Sequence, residues 1–276
     1  MINRVGLKAG KLIRRIQEDH TMQKLKYLMI LFILTTLLVA SGGPSPDAMA
    51  SPGAVAPNLG TAASFVGLAS STFTNTGAGV YVGDVGVSPG ISVTGFPPGS
   101  VRNGAIHIND GVAAQAMSDA TTAYTALAGQ TCDVDLTGQD LGGKTLPPGV
   151  YCFNTSAQLT GILTLTGNAT DVWVFKIGST LTTAPDSSVA SSVAMINGGQ
   201  ALSVFWQVGS SATLDTGTRF SGNILAHASV TLNNRASLVG RAFGLTGAVT
   251  MDTTDAPAPI TNTPLFEFCY LPLIIR

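Results

Sequence analysis

The stretch that decides the fold is residues 212–251, which read ATLDTGTRFSGNILAHAS (212–229), VTLNNRASLVGRAFGLTGA (230–248) and VTM (249–251). Thr213, Thr231 and Thr250 are 18 and 19 residues apart. A repeat this short is one turn of a solenoid, because a single row of strands cannot bury its apolar side alone and must stack on a copy. The stretch predicts a β-solenoid that carries small hydroxyl-bearing side chains in ranks on one face, and we expect that face to be the functional surface.

Weaker repeats precede this stretch. VFKIGS, which begins at Val174, is echoed by FWQVGS, which begins at Phe205, 31 residues later. We interpret that distance as nearly two coils, with an irregular or additional coil over residues 189–203. The pairs Thr164-Leu165 and Thr180-Leu181 also repeat, at a distance of 16 residues. The bulky aromatic residues of this region are expected to pack in the core or at its rim: Trp173, Phe175, Phe205 and Trp206.

One segment has helical rather than extended periodicity. Over residues 111–128 apolar side chains recur at three- and four-residue spacing, which predicts an amphipathic helix. Asn109 or Asp110 is the expected N-cap, and Gly129 stands where a helix ends. The outward-facing residues of this segment do not form a recognisable catalytic or metal-binding set. We therefore expect the helix to cover an apolar flank of the solenoid.

Composition excludes several classes of protein. Only 11% of the 276 residues are charged and 32 are Gly, which argues against a helical bundle and against a charged disordered chain. Residues 51–260 contain six Lys or Arg and eleven Asp, a formal charge of −5. That region therefore has no basic patch, and we expect no nucleic-acid partner.

The N-terminus has the order of a secretory signal: basic residues, an apolar run from Tyr27 to Ala40, then small and polar residues. The apolar run is shorter than the ~20 residues that a membrane-spanning helix needs. We predict a signal peptide over 1–50, with a possible start at Met22, cleavage after Ala48-Met49-Ala50, and a secreted product without a membrane partner. An uncleaved anchor is the alternative.

Cysteines and prolines mark the remaining features. Cys132 and Cys152 are expected to pair in an exported protein, the alternative being two buried free thiols. The solenoid domain is predicted over 51–256. Residues 257–276 form a Pro-containing apolar tail, either a cap on an open solenoid end or a sorting signal. Cys269, in that tail, is left unpaired.

The region from Leu59 to Asp255 resembles the large family of secreted microbial ice-binding (antifreeze) proteins. The stretches that carry the resemblance are LGTAASF (59–65), GDVGVSPG (83–90), VTGFPPG (93–99), DLTGQDLGGKTLPPGVY (135–151), VWVFKIGSTLTT (172–183), VFWQVGSSATL (204–214), GNILA (222–226) and VGRAF (239–243). The resemblance implies a mainly β fold, a discontinuous right-handed β-solenoid with one long α-helix packed alongside. It also implies adsorption to ice by one flat face, with no cofactor, no metal and no enzymatic activity.

In this family a short turn pattern of Thr, Ala or Gly, any residue, then Thr or Asn recurs on the ice-binding face. The corresponding places here are Thr166-Gly167-Asn168-Ala169, Thr183-Ala184-Pro185-Asp186, Thr216-Gly217-Thr218-Arg219 and Asn234-Arg235-Ala236-Ser237. We therefore predict an ice-binding set that combines these turns with nearby strand positions: Thr76, Thr166, Thr183, Thr216, Thr218, Asn234 and Thr253. Ice is the expected partner, and a monomer the expected state.

Other functions remain open at this point. A secreted adhesin could use the same face on a surface other than ice. Polysaccharide-active enzymes also use β-solenoids, but acid–base chemistry needs paired carboxylates in a groove, whereas the aspartates here stand at turns. His107 and His227 lack metal-ligand spacing and are expected to be structural. A left-handed acyltransferase solenoid needs a strict six-residue repeat, which the longer coils do not have.

Overall fold

A computed structural model describes residues 53–185, 192–253 and 260–261, with side chains described within 53–185 and 193–252. The predicted signal peptide over 1–50 lies outside the described residues. So does the predicted tail over 257–276, except for residues 260–261.

The described residues form twenty-two β-strands and one α-helix, α1 (Gly111–Ala128). The strands before the helix are β1 (Phe65–Ala69), β2 (Thr72–Gly77), β3 (Val80–Val82), β4 (Asp84–Val87), β5 (Ser92–Thr94), β6 (Ser100–Arg102) and β7 (Ile106–Ile108). Those from the helix to residue 196 are β8 (Val134–Asp135), β9 (Thr145–Leu146), β10 (Gly149–Phe153), β11 (Ala157–Leu159), β12 (Ile162–Thr166), β13 (Trp173–Ile177), β14 (Leu181–Thr183) and β15 (Ser192–Ile196). The last are β16 (Val204–Val208), β17 (Ala212–Leu214), β18 (Arg219–Ala226), β19 (Val230–Leu232), β20 (Ser237–Gly244), β21 (Val249–Thr253) and β22 (Ile260–Thr261).

The strands stack as parallel coils, which confirms the predicted solenoid. β18 and β20 pair in register over eight residues, from Arg219 opposite Ser237 to Ala226 opposite Gly244. Two sheets result, one of fifteen strands and one of seven. The seven-stranded sheet has the order β11-β14-β17-β19-β21-β2-β5 and forms one side of the solenoid.

The coils are not stacked in chain order. The N-terminal strand β1 pairs with β20, and β2 pairs with β21, so the first coils sit on top of the last one. α1 follows β7 and precedes β8, and these two strands lie in opposite end coils. The expected discontinuous solenoid with one helix is thus present. The helix has the predicted bounds, Asp110 caps it by accepting from the Ala113 amide at 2.8 Å, and Gly129 at its end is right-handed at φ −76.

Two of the repeat interpretations are wrong. β13 pairs directly with β16, Val174 opposite Phe205, so the 31-residue distance is a single enlarged coil that contains β14 and β15. Leu165 lies in β12 of the large sheet, and Leu181 lies in β14 of the small one, so the 16-residue repeat does not stack. In both cases the coils differ in length, and spacing alone does not reveal which positions are neighbours.

Apolar packing fills both the bore and the space under the helix. An aromatic column runs up the bore from Tyr151 through Phe175 and Trp206 to Phe220, with ring centroids 5.4, 4.0 and 4.8 Å apart. The aromatic residues predicted to be core are all buried. Under α1, small side chains let the helix approach the large sheet closely: Ala116, Ala120 and Ala123.

The disulfide between Cys132 and Cys152 is present, with a Cα–Cα distance of 5.8 Å. It ties the segment that follows α1 to β10. The helix is therefore anchored at its C-terminal end by a covalent bond and along its length by apolar contacts.

Candidate functional site

The outer surface of the seven-stranded sheet carries a continuous rank of threonines, one from each of six neighbouring strands. In-register pairs join Thr182 to Thr213, Thr213 to Thr231, Thr231 to Thr250, Thr250 to Thr74 and Thr74 to Thr94. Gln158 stands at the end of this threonine rank, opposite Thr182. None of these side chains is buried. Six coils thus present the same hydroxyl and methyl groups at the same height.

A second row lies two residues earlier in each coil, on the strand in two coils and immediately before the strand in the other five. Its members are Ser156, Thr180, Ser211, Ser229, Ala248, Thr72 and Ser92. Thr72 is opposite Ser92, and the Thr180 hydroxyl donates to the Ser156 hydroxyl at 2.8 Å. We call the threonine rank and this serine-rich row together the hydroxyl face.

The hydroxyl face is a regular two-dimensional array. Neighbouring strands are ~4.8 Å apart, and alternate residues on one strand are ~6.7 Å apart. Between the outward residues, the inward ones are fully buried in the bore, as for Leu181, Val230 and Val249. Packing on the core side thus fixes the positions of the outward side chains.

Charged side chains lie at the edge of this array rather than within it. Two residues beyond the threonine rank, Thr76 is opposite Asp252. In the neighbouring turn the Asn233 amide donates to Asp215 at 2.9 Å. Hydrogen bonds from Asn233 and from the Thr216 amide lower the pKa of the Asp215 carboxyl, which is therefore ionised at neutral pH. The two described rows of the face contain no Asp, Glu, Lys or Arg.

The residues predicted from turns do not form one surface. Thr183 and Thr218 are buried, at 5% and 0% exposure, and their hydroxyls bond to each other at 2.7 Å. They point inward because Thr183 pairs with Leu159, whose side chain is in the core. Neither side chain is available to ice, which corrects the prediction for this pair.

The other predicted residues are accessible but scattered. Thr166 ends β12 in the large sheet, where its hydroxyl accepts from the Asn197 amide at 2.9 Å. Thr216 and Asn234 are half-buried in turns that leave the small sheet. Thr76 is exposed on β2 of the small sheet. Thr253 lies on β21 opposite Gly77, and its side chain is outside the described set.

The spacing of Thr213, Thr231 and Thr250 indicates this rank in the sequence, but no member of the rank was included among the predicted ice-binding residues, although the signal is local. The middle residue of ATL, VTL, VTM and LTT is threonine each time, with apolar neighbours in the first three. Alternation places that middle residue on the opposite side from its buried neighbours. The site prediction instead followed the turn pattern.

The histidines and several aspartates of the described residues make local contacts. The described part of the chain has no group of three or more His, Cys, Asp or Glu side chains that could hold a metal. His107 contacts Asp110 at 2.8 Å and packs against Phe65, and His227 packs against Tyr124. Several aspartates accept from backbone amides near their own turns, as Asp135 does from Thr137. Of the described helices, none is both long and apolar enough to cross a membrane.

Comparisons with known proteins agree on one relationship. A family model described as ice-binding-like matches residues 67–256. An ice-binding protein of Nostoc sp. (strain HG1) is 56% identical over 198 residues, 71% of each chain. One from Flavobacterium frigoris (strain PS1) is 30% identical over 215 residues, covering 73% of this chain and 76% of that protein. The crystal structure of an ice-binding protein from the Antarctic ascomycete Antarctomyces psychrotrophicus has a TM-score of 0.70 and 39% identity, covering 76% of this chain and 100% of that one.

Proposed function

Because the chain belongs to the ice-binding-like family, we propose that it adsorbs to ice through the hydroxyl face and thereby inhibits ice growth or recrystallisation. The observation that carries this proposal is the in-register threonine rank, unbroken from Thr182 to Thr94 across six strands. Family membership supports the activity, and the rank supports the choice of surface.

Threonine suits this role because it combines two groups on a stiff side chain. Its methyl group orders neighbouring water, and its hydroxyl anchors that water by hydrogen bonds. Branching at Cβ restricts χ1, so the array loses little conformational freedom on contact with a solid. Water that bridges the face to ice costs little entropy when it is already immobile. Each contact is weak, and the sum over two rows is large.

Flatness and neutrality matter as much as the hydroxyls. The residues beneath the face, such as Ala212 and Leu214, are fully buried, so the sheet cannot deform easily. A long ionised side chain would hold its own hydration shell in a geometry unlike that of ice. The charged Asp215 and Asp252 mark the edge at which the ordered water ends.

We further infer that the protein acts outside the cell as a monomer, after cleavage near Ser51. The signal-like order of residues 1–50 supports export, and the disulfide is typical of proteins from oxidising compartments. N-terminal sequencing of secreted material tests the cleavage, and sedimentation tests the monomer. A secreted chain that retains Leu28–Leu38 contradicts cleavage.

Tyrosine substitution within the threonine rank tests the proposed face. Thr231 is central, and Thr231→Tyr places a ring above the plane of the array without touching the core. We expect this variant to lose most of its thermal hysteresis and to keep its melting temperature. The matched control is Thr145→Tyr, at an exposed position on β9 of the other sheet, which should keep full activity. Undiminished activity of Thr231→Tyr places the ice-binding surface elsewhere.

A further inference from the structure

The two ends of the solenoid differ in how completely their apolar side chains are covered. At one end, β8 pairs with β10, β9 pairs with β12, and Asp140 between them bridges to Gln158 of β11, so this segment adds a further coil to the stack. It buries Leu136 and Leu141, at 5% and 0% exposure. That end of the core is therefore closed by the chain itself.

At the opposite end the last coil leaves its apolar side chains partly uncovered. Strands β5, β6 and β7 each pair with one described strand only, β2, β3 and β4 respectively. Their inward residues lie on core residues of the coil below: Val93 on Phe73, Val101 on Tyr81, and Ile106 on Val85. Phe96 packs on the same core, its ring 5.1 Å from that of Tyr81.

The inward-facing side chains of this last coil are unusually exposed to solvent. Ile106 and Ile108 are 38% and 47% exposed, although the residues with which they pair, Val85 and Val87, are completely buried. Ile91, just before β5, is 75% exposed. We call this set the open end: Ile91, Val93, Phe96, Val101, Ile106 and Ile108. A contiguous apolar surface of this kind is typical of a contact that something else covers.

The described chain stops beside this surface. β22 is inserted between β20 and β3, with Thr261 opposite Val82, and β3 in turn pairs with β6 of the last coil. Two strand spacings, about 10 Å, therefore separate Thr261 from the edge of the open end. The fifteen residues 262–276 span up to about 50 Å when extended, which is enough to cross the end of the bore.

The composition of those fifteen residues matches the surface. They read NTPLFEFCYLPLIIR and contain one acid, Glu267, and one base, Arg276. The remaining positions are rich in large apolar and aromatic side chains. Pro264 and Pro272 have no backbone N–H to donate, so this sequence is poorly suited to a continuous added strand.

We propose that residues 262–276 cover the open end of the solenoid and close its apolar core. The segment then does at one end what Leu136 and Leu141 do at the other. This inference does not depend on ice binding, because it rests only on the apolar end and on where the described chain leaves the sheet.

Cys269, which lies within residues 262–276, can report contact between this segment and the open end. Cys132 and Cys152 are paired, so Cys269 is the single remaining cysteine of the three. The test introduces one cysteine into the open end, in Ile91→Cys, Ile106→Cys or Ile108→Cys, and measures disulfide formation with Cys269 under mild oxidation. The control is Ile196→Cys, at a 41% exposed position on β15 in the large sheet. A disulfide needs Cα atoms within about 7 Å, so only a neighbouring residue is captured.

We expect at least one open-end variant to form an intramolecular disulfide with Cys269 that peptide mapping identifies, and we expect the control to form none. Hydrogen exchange supplies a second readout: residues 106–108 should exchange faster in a chain that ends at Thr261 than in the full chain. Crosslinks between two chains in place of intramolecular ones assign the open end to a second copy and overturn the proposal. Unchanged exchange together with no crosslink also overturns it.

Discussion

Thr213 and Thr231 are direct partners on β17 and β19, and both side chains stand on the outer surface of the seven-stranded sheet. Their neighbours on each strand, such as Leu214 and Leu232, point into the core. One pair of this kind is an ordinary feature of a parallel sheet. Its repetition over six strands makes a surface, since each coil adds one threonine at the same height.

The length of the threonine rank predicts a gain of function. Gln158 ends the rank, and its longer side chain is exposed beside Thr182. Gln158→Thr extends the rank by one coil, so we expect higher thermal hysteresis at equal protein concentration. The control is Gln139→Thr, an exposed position outside the face. Equal activity of Gln158→Thr and the unaltered protein indicates that ice contact stops before β11.

Replacing the buried Arg241 should destabilise the protein and leave the ice-binding surface intact. Its guanidinium donates to the Ala63 carbonyl and, at 2.7 Å, to the Asn223 amide oxygen, and burial lowers its pKa to about 10. Arg241→Met leaves both acceptors without that donor, which costs about 2–3 kcal/mol of unfolding free energy.

Thermal unfolding measures this loss. Each kcal/mol of lost unfolding free energy should lower the melting temperature by roughly 2–4 °C. The matched control is Arg219→Met, since Arg219 is exposed. Equal melting temperatures of the two variants contradict the role given to Arg241. Activity measured well below the melting temperature should be the same in both.

The disulfide predicts a second stability effect. It closes a loop with a sequence separation of 20. Replacing Cys132 and Cys152 together by serine removes the constraint on the unfolded chain and lowers the unfolding free energy by about 3 kcal/mol in the chain-entropy model. Denaturant titration of the double variant measures the change. A midpoint equal to that of the unaltered protein refutes it.

The aspartates predict how stability depends on pH. Hydrogen bonds lower the pKa of Asp119, which accepts from the Thr61 amide at 2.7 Å, and that of Asp110 at the helix N-cap. A carboxyl whose pKa is lower in the folded state stabilises that state above its unfolded pKa. The contribution disappears as pH falls through the folded pKa.

The melting temperature should therefore be level from neutral pH down to about pH 5 and fall below about pH 4, where carboxyl groups begin to bind protons. Asp119→Asn should flatten this acid dependence relative to the unaltered protein, because it removes one carboxyl whose pKa is lowered on folding. A steeper fall in the Asp119→Asn variant contradicts the sign of the effect.

Much of the fold was predictable because it follows from local periodicity. The 18- and 19-residue spacing of Thr213, Thr231 and Thr250 is realised as direct pairing. The helix over 111–128 also follows from its apolar stripe and its Asp110 cap. In both cases a short repeat within one segment carries the whole signal.

The remaining features depend on which side of a strand faces the core. In Leu181-Thr182-Thr183 two threonines are adjacent; alternation from Leu181 indicates that Thr182 is the outward one, and the pairing of Thr183 with Leu159 confirms it. Coil length poses a similar problem, since the coil between Val174 and Phe205 is longer than its neighbours. Coil length is shown only by the pairing of neighbouring coils, such as that of β13 with β16, and no single segment of sequence reveals it.

Incorporation of the protein into growing ice tests the central claim most directly, because it measures adsorption rather than stability. We compare Thr213→Tyr, in the middle of the threonine rank, with Thr166→Tyr, on the other sheet. The account predicts that Thr213→Tyr is excluded from the ice, whereas Thr166→Tyr is taken up as the unaltered protein is. Uptake of Thr213→Tyr together with exclusion of Thr166→Tyr contradicts the account and moves the surface to the large sheet.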